Sequence, residues 1–184
     1  MDFSGIVLAG GRAVRMDGAD KASVEYLGRT LLEHAIDALV DAGEVVVVGD
    51  PVRTTRPVTF TRENPRYGGP VAALLTGLDA LERPPELVAV VAVDMPRLTH
   101  ATVRRLREAA DDDAVDGAAL VGPDGRRQLA LVLRTGRLDA VRPGHEEQHG
   151  MALHRLLAGL HLAEVAAEGA EARDVDSWAD LRDL

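Results

Sequence analysis

The sequence predicts an α/β fold in which a mostly parallel sheet, covered by helices on both faces, becomes mixed in its C-terminal half. Three observations lead there. Short continuous apolar runs, Phe3 to Ala9, Glu44 to Gly49 and Glu86 to Val93, read as strands buried on both faces. Segments with apolar residues at helical spacing separate them. In the second half, Pro123-Asp124-Gly125 lies between Ala118 to Gly122 and Gln128 to Leu133, a hairpin signal.

Each element has its own local reason. After the first strand, Thr30-Leu31-Leu32-Glu33 reads as a capping box, and Leu32, Ala35, Ile36, Leu39 and Val40 form one apolar face before Gly43 ends the helix. With the Val45-Val46-Val47-Val48 run this makes a βαβ crossover. Val58 to Arg62 is a third strand, and Pro70 opens a helix whose Val71, Leu74, Leu75, Leu78 and Leu81 share a stripe until Pro84-Pro85 stops it. The most apolar strand, Glu86 to Val93, ends at Asp94-Met95-Pro96, and a helix runs from Thr99 to about Ala110. Met151, Leu153, Leu156, Leu157 and Leu160 predict another helix, and Ser177 caps a short final one. Asp111-Asp112-Asp113 and the Ala/Glu-rich stretch from 163 to 172 read as solvated turns. Without a repeat or a linker, residues 1–184 are expected to form a single domain.

Composition narrows the function classes. A net charge of −9 argues against a broad nucleic-acid or anionic-membrane surface, either of which needs a basic face. With no cysteine, disulfides, thiolate metal sites and a cysteine nucleophile are excluded, and a reducing, cytoplasmic setting is expected. No apolar stretch approaches the roughly 18 residues of a membrane span.

Within these limits one residue stands out. Lys21 is the single lysine, beside twenty arginines, and closes the stretch Leu8-Ala9-Gly10-Gly11 through Asp20-Lys21 after the first strand. A lysine is a compact charge on a flexible stem, suited to a phosphate that shifts during reaction, whereas arginine offers a rigid fork. The Gly10-Gly11 pair lets backbone amides approach a phosphate, with Arg12, Arg15 and Lys21 supplying charge. The spacing fits neither a Walker A loop nor GxGxxG. Asp94 follows a buried strand at its carboxyl end, where open α/β sheets bind ligands, and is placed to offer oxygen to Mg²⁺. Asp176, in Asp174-Val175-Asp176-Ser177, offers a second carboxylate near the C-terminus, which taken alone reads as a cap or surface residue. His145-Glu146-Glu147-Gln148-His149 satisfies the HExxH pattern of zinc hydrolases, yet Pro143-Gly144 precedes it and Gly150 follows, so it reads as a solvated loop or helix entrance.

The first loop resembles the signature of the molybdenum cofactor guanylyltransferase family, within the broader MobA-like nucleotidyltransferases. Tyr67-Gly68-Gly69-Pro70-Val71-Ala72-Ala73, Val93-Asp94-Met95-Pro96 and Asp174-Val175-Asp176-Ser177 are similar to further family segments in the same order. The resemblance implies a Rossmann-like nucleotidyltransferase domain. Leu8, Ala9, Gly10, Gly11 and Gly69 would bind the nucleotide and Lys21 and Arg15 its phosphates, while Asp94 and Asp176 would bind Mg²⁺. It further implies transfer of GMP from GTP to the phosphate of molybdopterin with release of pyrophosphate, and transient protein partners in cofactor delivery. Departures are Asp17, where the family commonly has glycine, Gly49, where a nucleotide-binding asparagine can occur, Arg66, where a guanine-contacting acidic residue can occur, and Asp176, where asparagine is frequent. Alternatives are CTP or ATP as donor, a sugar phosphate as acceptor, a non-catalytic nucleotide-binding module, and a zinc hydrolase.

Overall fold

The computed structural model describes residues 2–10, 20–83 and 85–184. Seven strands form one sheet in the order β5-β4-β1-β6-β8-β7-β9. These are β1 (Phe3–Leu8), β4 (Val45–Val48), β5 (Thr59–Thr61), β6 (Leu87–Ala92), β7 (Gly117–Val121), β8 (Arg127–Arg134) and β9 (Leu162–Ala166). β5, β4, β1 and β6 run parallel; β8 is antiparallel to both β6 and β7, and β7 is parallel to β9. The hairpin predicted around Pro123-Asp124-Gly125 thus introduces the single reversed strand of this sheet. A small separate ribbon, β2 (Glu25–Tyr26) with β3 (Arg29–Thr30), turns at Leu27 and Gly28, both at positive φ.

The continuous apolar runs are explained by two cores, one on each face. Along β4, Val45 and Val47 face one core and Val46 and Val48 the other; along β6, Leu87, Ala89 and Val91 alternate with Val88 and Val90. The first core is closed by α1 (Leu31–Ala38) and α3 (His100–Ala110), through Leu32, Ile36, Val103 and Leu106. The second is closed by α2 (Pro70–Asp79), α4 (Thr135–Ala140) and α6 (Leu153–Leu157), through Leu74, Leu75, Leu138 and Leu156. The helix α5 (His145–Gln148) is a single turn with no buried residue, and α7 (Trp178–Arg182) ends the chain.

Several local expectations change. Thr30 Oγ1 accepts the Glu33 amide at 3.1 Å as predicted, but the Glu33 carboxylate turns to Arg29 at 3.7 Å. Val40, assigned to the apolar face, is 55% exposed because α1 stops at Ala38 and the chain turns away. Residues 162–166, read mostly as a solvated turn, are the edge strand β9, whose alternation of half-buried and exposed residues suits a one-sided strand. Its pairing with β7 lies far off in sequence, where composition carries no trace of it.

After β9 the chain is tied back to α3. Glu171 accepts hydrogen bonds from Thr102 Oγ1 at 2.6 Å, from both terminal nitrogens of Arg105 at 3.2 and 2.7 Å, and from the Glu168 amide at 2.9 Å. Burial alone would raise this carboxyl, but the bonds from Arg105, the Glu168 amide and Thr102 outweigh it and hold it below its ordinary 4.5. A carboxylate depressed in the fold contributes stability above the unfolded value and loses it as pH falls toward the folded one.

Helix α2 lies very close to the sheet. A Cβ on Gly77 would come within 2.7 Å of Ile6 Cγ2 and 2.9 Å of Val48 Cγ2, both on stiff β-branched side chains. Gly77→Ala is therefore expected to destabilise by about 1–3 kcal/mol in urea unfolding despite the gain in helix propensity. Gly136→Ala, on α4 with open space around the new methyl, is expected to stabilise by roughly 0.5–1 kcal/mol in the same assay. Glu171→Gln should cost about 1–3 kcal/mol at neutral pH, and its unfolding free energy should fall less than that of the wild type as pH drops below 4.5.

Candidate active site

Strand order reverses beside β1. The chain leaves it through α1 to β4 and β5, then returns through α2 to β6 on its other side. A crevice outside the carboxyl ends of β1 and β6 follows from this topology. Leu8 and Ala92 are register partners, so Gly10 and Asp94 leave the sheet side by side. The Val93 amide donates to the Leu8 carbonyl at 3.1 Å and the Ala9 amide to Val48 at 3.0 Å, which fixes both strand ends.

Three distant segments converge on this crevice. Lys21 opens a short 3₁₀ turn, Lys21–Ser23, capped by Asp20, whose carboxylate accepts from the Ala22 amide at 3.2 Å and from Ser23 Oγ at 2.8 Å. The Lys21 ammonium donates to Asp94 Oδ2 at 3.1 Å and to Asp176 Oδ1 at 2.8 Å. Asp176 is delivered by a hook: Val175 is fully buried, and its amide donates to the Asp94 carbonyl at 2.8 Å. The Asp176 amide in turn donates to Asp180, which also holds Ser177 at the start of α7. Sequence reasoning selected both carboxylates and the lysine; the Val175 anchor, in an alternating Asp-Val-Asp, is the signal that sends Asp176 outward.

The electrostatics at this triad are uneven. At Asp94 burial is the largest influence and raises the carboxyl above its ordinary range, with the Lys21 charge opposing it. At Lys21 burial would lower the ammonium, but the hydrogen bond to Asp176 and the charge of Asp94 outweigh it and raise it. Two carboxylates sharing one ammonium leave an excess negative charge, to which Asp174 adds. Such a pair of hard oxygen donors suits a divalent cation that completes its shell with phosphate and water.

Beside the triad lies a cavity of about 350 Å³ lined by Leu8, Gly10, Glu63, Pro70, Asp94 and Leu129, among others. A narrower cleft continues from Gly10 toward Gly49, Asp50, Arg62 and Arg66. A Cβ on Gly10 would stand 3.7 Å from both Glu63 Oε1 and the Val48 carbonyl, so glycine keeps the entrance wide. Gly69 adopts φ 88° just before Pro70 starts α2, a conformation that favours glycine, and lines the same cavity.

Glu63 is the residue that sequence reasoning missed. It follows β5, at a strand's carboxyl end, the same positional signal that marked Asp94. Asp20, Asp50 and Glu63 all line this cleft; Asp50 pairs with Arg66 at 3.6 Å and with Arg62, Asp20 caps its own turn, and Glu63 is the carboxylate that stands beside Gly10. Gly11 and Arg15 lie outside the described residues.

The HExxH segment does not build a zinc site. α5 ends at Gln148 and His149 is extended, which takes the two histidines off a common helical face. Among the described residues no group of three or more His, Cys, Asp or Glu is arranged to hold a metal. Among them, too, no helix is long and apolar enough to cross a membrane.

Comparison with known proteins bears on the family and the fold. A molybdenum cofactor guanylyltransferase from Bradyrhizobium sp. (strain ORS 278) is 39% identical over 142 residues, covering 73% of this chain and 66% of that protein. The chain thus spans about two thirds of the length of the relative it matches. Among solved structures, Rv0371C in complex with manganese from Mycobacterium tuberculosis H37Rv superposes with a TM-score of 0.77 at 18% identity, covering 100% of this chain and 98% of that one. Molybdopterin-guanine dinucleotide biosynthesis protein A from Archaeoglobus fulgidus gives a TM-score of 0.75 at 17% identity, covering 98% and 95%. At such identities the two structures establish the shared fold. Residues 5–165 match the MobA-like NTP transferase domain, and the chain belongs to that family of nucleotidyltransferases.

Proposed function

We propose that the protein transfers GMP from GTP to the phosphate of molybdopterin, releasing pyrophosphate, with Mg²⁺ as its metal. The observation that carries this reading is the Lys21 ammonium within hydrogen-bonding distance of both Asp94 and Asp176, with Asp94 lining the same cavity as Gly10. The name of the Bradyrhizobium relative supports the donor and acceptor, and the manganese complex of the Mycobacterium protein supports a divalent ion.

Each residue then has a task. Asp94 and Asp176 hold the ion, which when bound neutralises charge on the nucleotide phosphates. Lys21, with Arg15, stabilises the negative charge that builds on the α-phosphate and the leaving group. The N-terminal end of α2, where Gly69 and Pro70 line the cavity, is a favourable end for phosphate. Gly10 leaves room for a purine. The Glu63 carboxylate, beside Gly10, matches the two adjacent donors that guanine offers at N1 and its 2-amino group, a pair that adenine lacks.

An oxygen of the acceptor phosphate attacks the α-phosphorus, the bond from that phosphorus to the bridging oxygen of the β-phosphate breaks, and its electron pair leaves with pyrophosphate. The nucleophile is already an anion, so no side chain has to take a proton. Catalysis is alignment and charge stabilisation.

Asp94→Ala is expected to reduce pyrophosphate release from GTP and Mg²⁺ by at least about 10³-fold, read in a coupled phosphate assay; wild-type turnover would refute the assignment. Lys21→Arg should lose much of the activity although the charge is kept, because the fork cannot follow the moving phosphate. In thermal-shift titration with the four NTPs and Mg²⁺, GTP should stabilise the protein selectively, and Glu63→Leu should remove the preference for GTP over ATP.

A further inference from the structure

We infer that Lys21 occupies the metal position in the nucleotide-free protein, so that nucleotide must draw it away before the divalent ion can enter. This rests on the reading of Asp94 and Asp176 given above. The same oxygens that would bind the ion accept hydrogen bonds from the lysine, Asp94 Oδ2 at 3.1 Å and Asp176 Oδ1 at 2.8 Å. A divalent ion of this class needs oxygens at about 2.0–2.1 Å. An ammonium bridging both carboxylates stands in that space and repels a second cation. Among the described residues it is also the cationic side chain that these two carboxylates meet.

The chain is built to let the ammonium move while its backbone stays. Asp20 caps the turn from one side, and Ala22, the next residue, is buried at 2% exposure. Between these fixed points the Lys21 stem has four rotatable carbons, and its side chain remains 16% exposed. A triphosphate supplies what the displacement requires. It gives the ammonium new anionic partners, frees the two carboxylates, and adds oxygens to the incoming ion. Lysine alone and the ion alone each compete for the carboxylates; with phosphate present they are satisfied together. Nucleotide and metal are therefore coupled, and by linkage each tightens the other by the same factor. The only lysine of the chain is then a gate on metal entry as well as a phosphate ligand.

Two experiments test this without turnover. Titrated with Mn²⁺ in the absence of nucleotide and followed by electron paramagnetic resonance, Lys21→Met and Lys21→Gln should bind at least about tenfold more tightly than the wild type, a factor within reach of losing two half-buried ion pairs. Equal affinity in both variants, each checked for a native melting transition, would overturn the inference while leaving the functional reading intact. Adding Asp94→Asn to Lys21→Met should abolish the gain; if Mn²⁺ still binds as tightly, the metal lies elsewhere and both readings fall. The wild type tests the order directly, since ¹⁵N labelling of lysine yields one side-chain signal. That signal should shift with GTP alone and stay in place with millimolar Mg²⁺ alone, whereas displacement by Mg²⁺ alone would overturn the proposal.

Discussion

The contact of Lys21 with Asp94 and Asp176 joins the side chains of three parts of the chain that are far apart in sequence. A turn after β1, the end of β6 and a hook before α7 are brought within about one hydrogen bond of each other, across 155 residues of sequence. Two acidic groups forced together in a half-buried crevice would repel each other without a cation between them. The ammonium between them offsets that repulsion.

The sheet makes that contact possible. Parallel β1 and β6 end level with each other, fixed by the Leu8 and Ala92 register and by the Val93 amide on the Leu8 carbonyl. Packing on both faces holds those ends still. Gly77 brings α2 down onto Ile6 and Val48, which in turn sets where Gly69 and Pro70 meet the cavity. On the other face the Arg105 and Glu171 cluster ties the chain after β9 to α3, and the following residues reach Val175 already aimed at Asp94. This charge cluster tethers the segment to α3, and removing one partner would leave the other's charge uncompensated.

Much of this was readable from local chemistry. Continuous valine runs demand burial on both faces, and Pro70, Thr99 and Ser177 start their helices because of what their own side chains do to nearby amides and φ angles. Asp94 was recognisable because a carboxylate after a buried strand has one direction to point. Lys21 was recognisable because it is alone of its kind.

Other features depend on partners far along the chain, and no window of residues reports them. β9 is a strand because β7 lies open beside it, although its composition is that of a turn. Glu63 faces Gly10, and Arg66 is spent on Asp50, because β5 sits at the edge next to β4, which no residue near position 63 states. His149 leaves the line of His145 because the helix lasts a single turn. Side-chain chemistry and hydrophobic period are properties of neighbours in sequence, and they fix which groups the protein owns. Distances between those groups arise from strand order and packing, which are settled when the whole chain closes on its two cores.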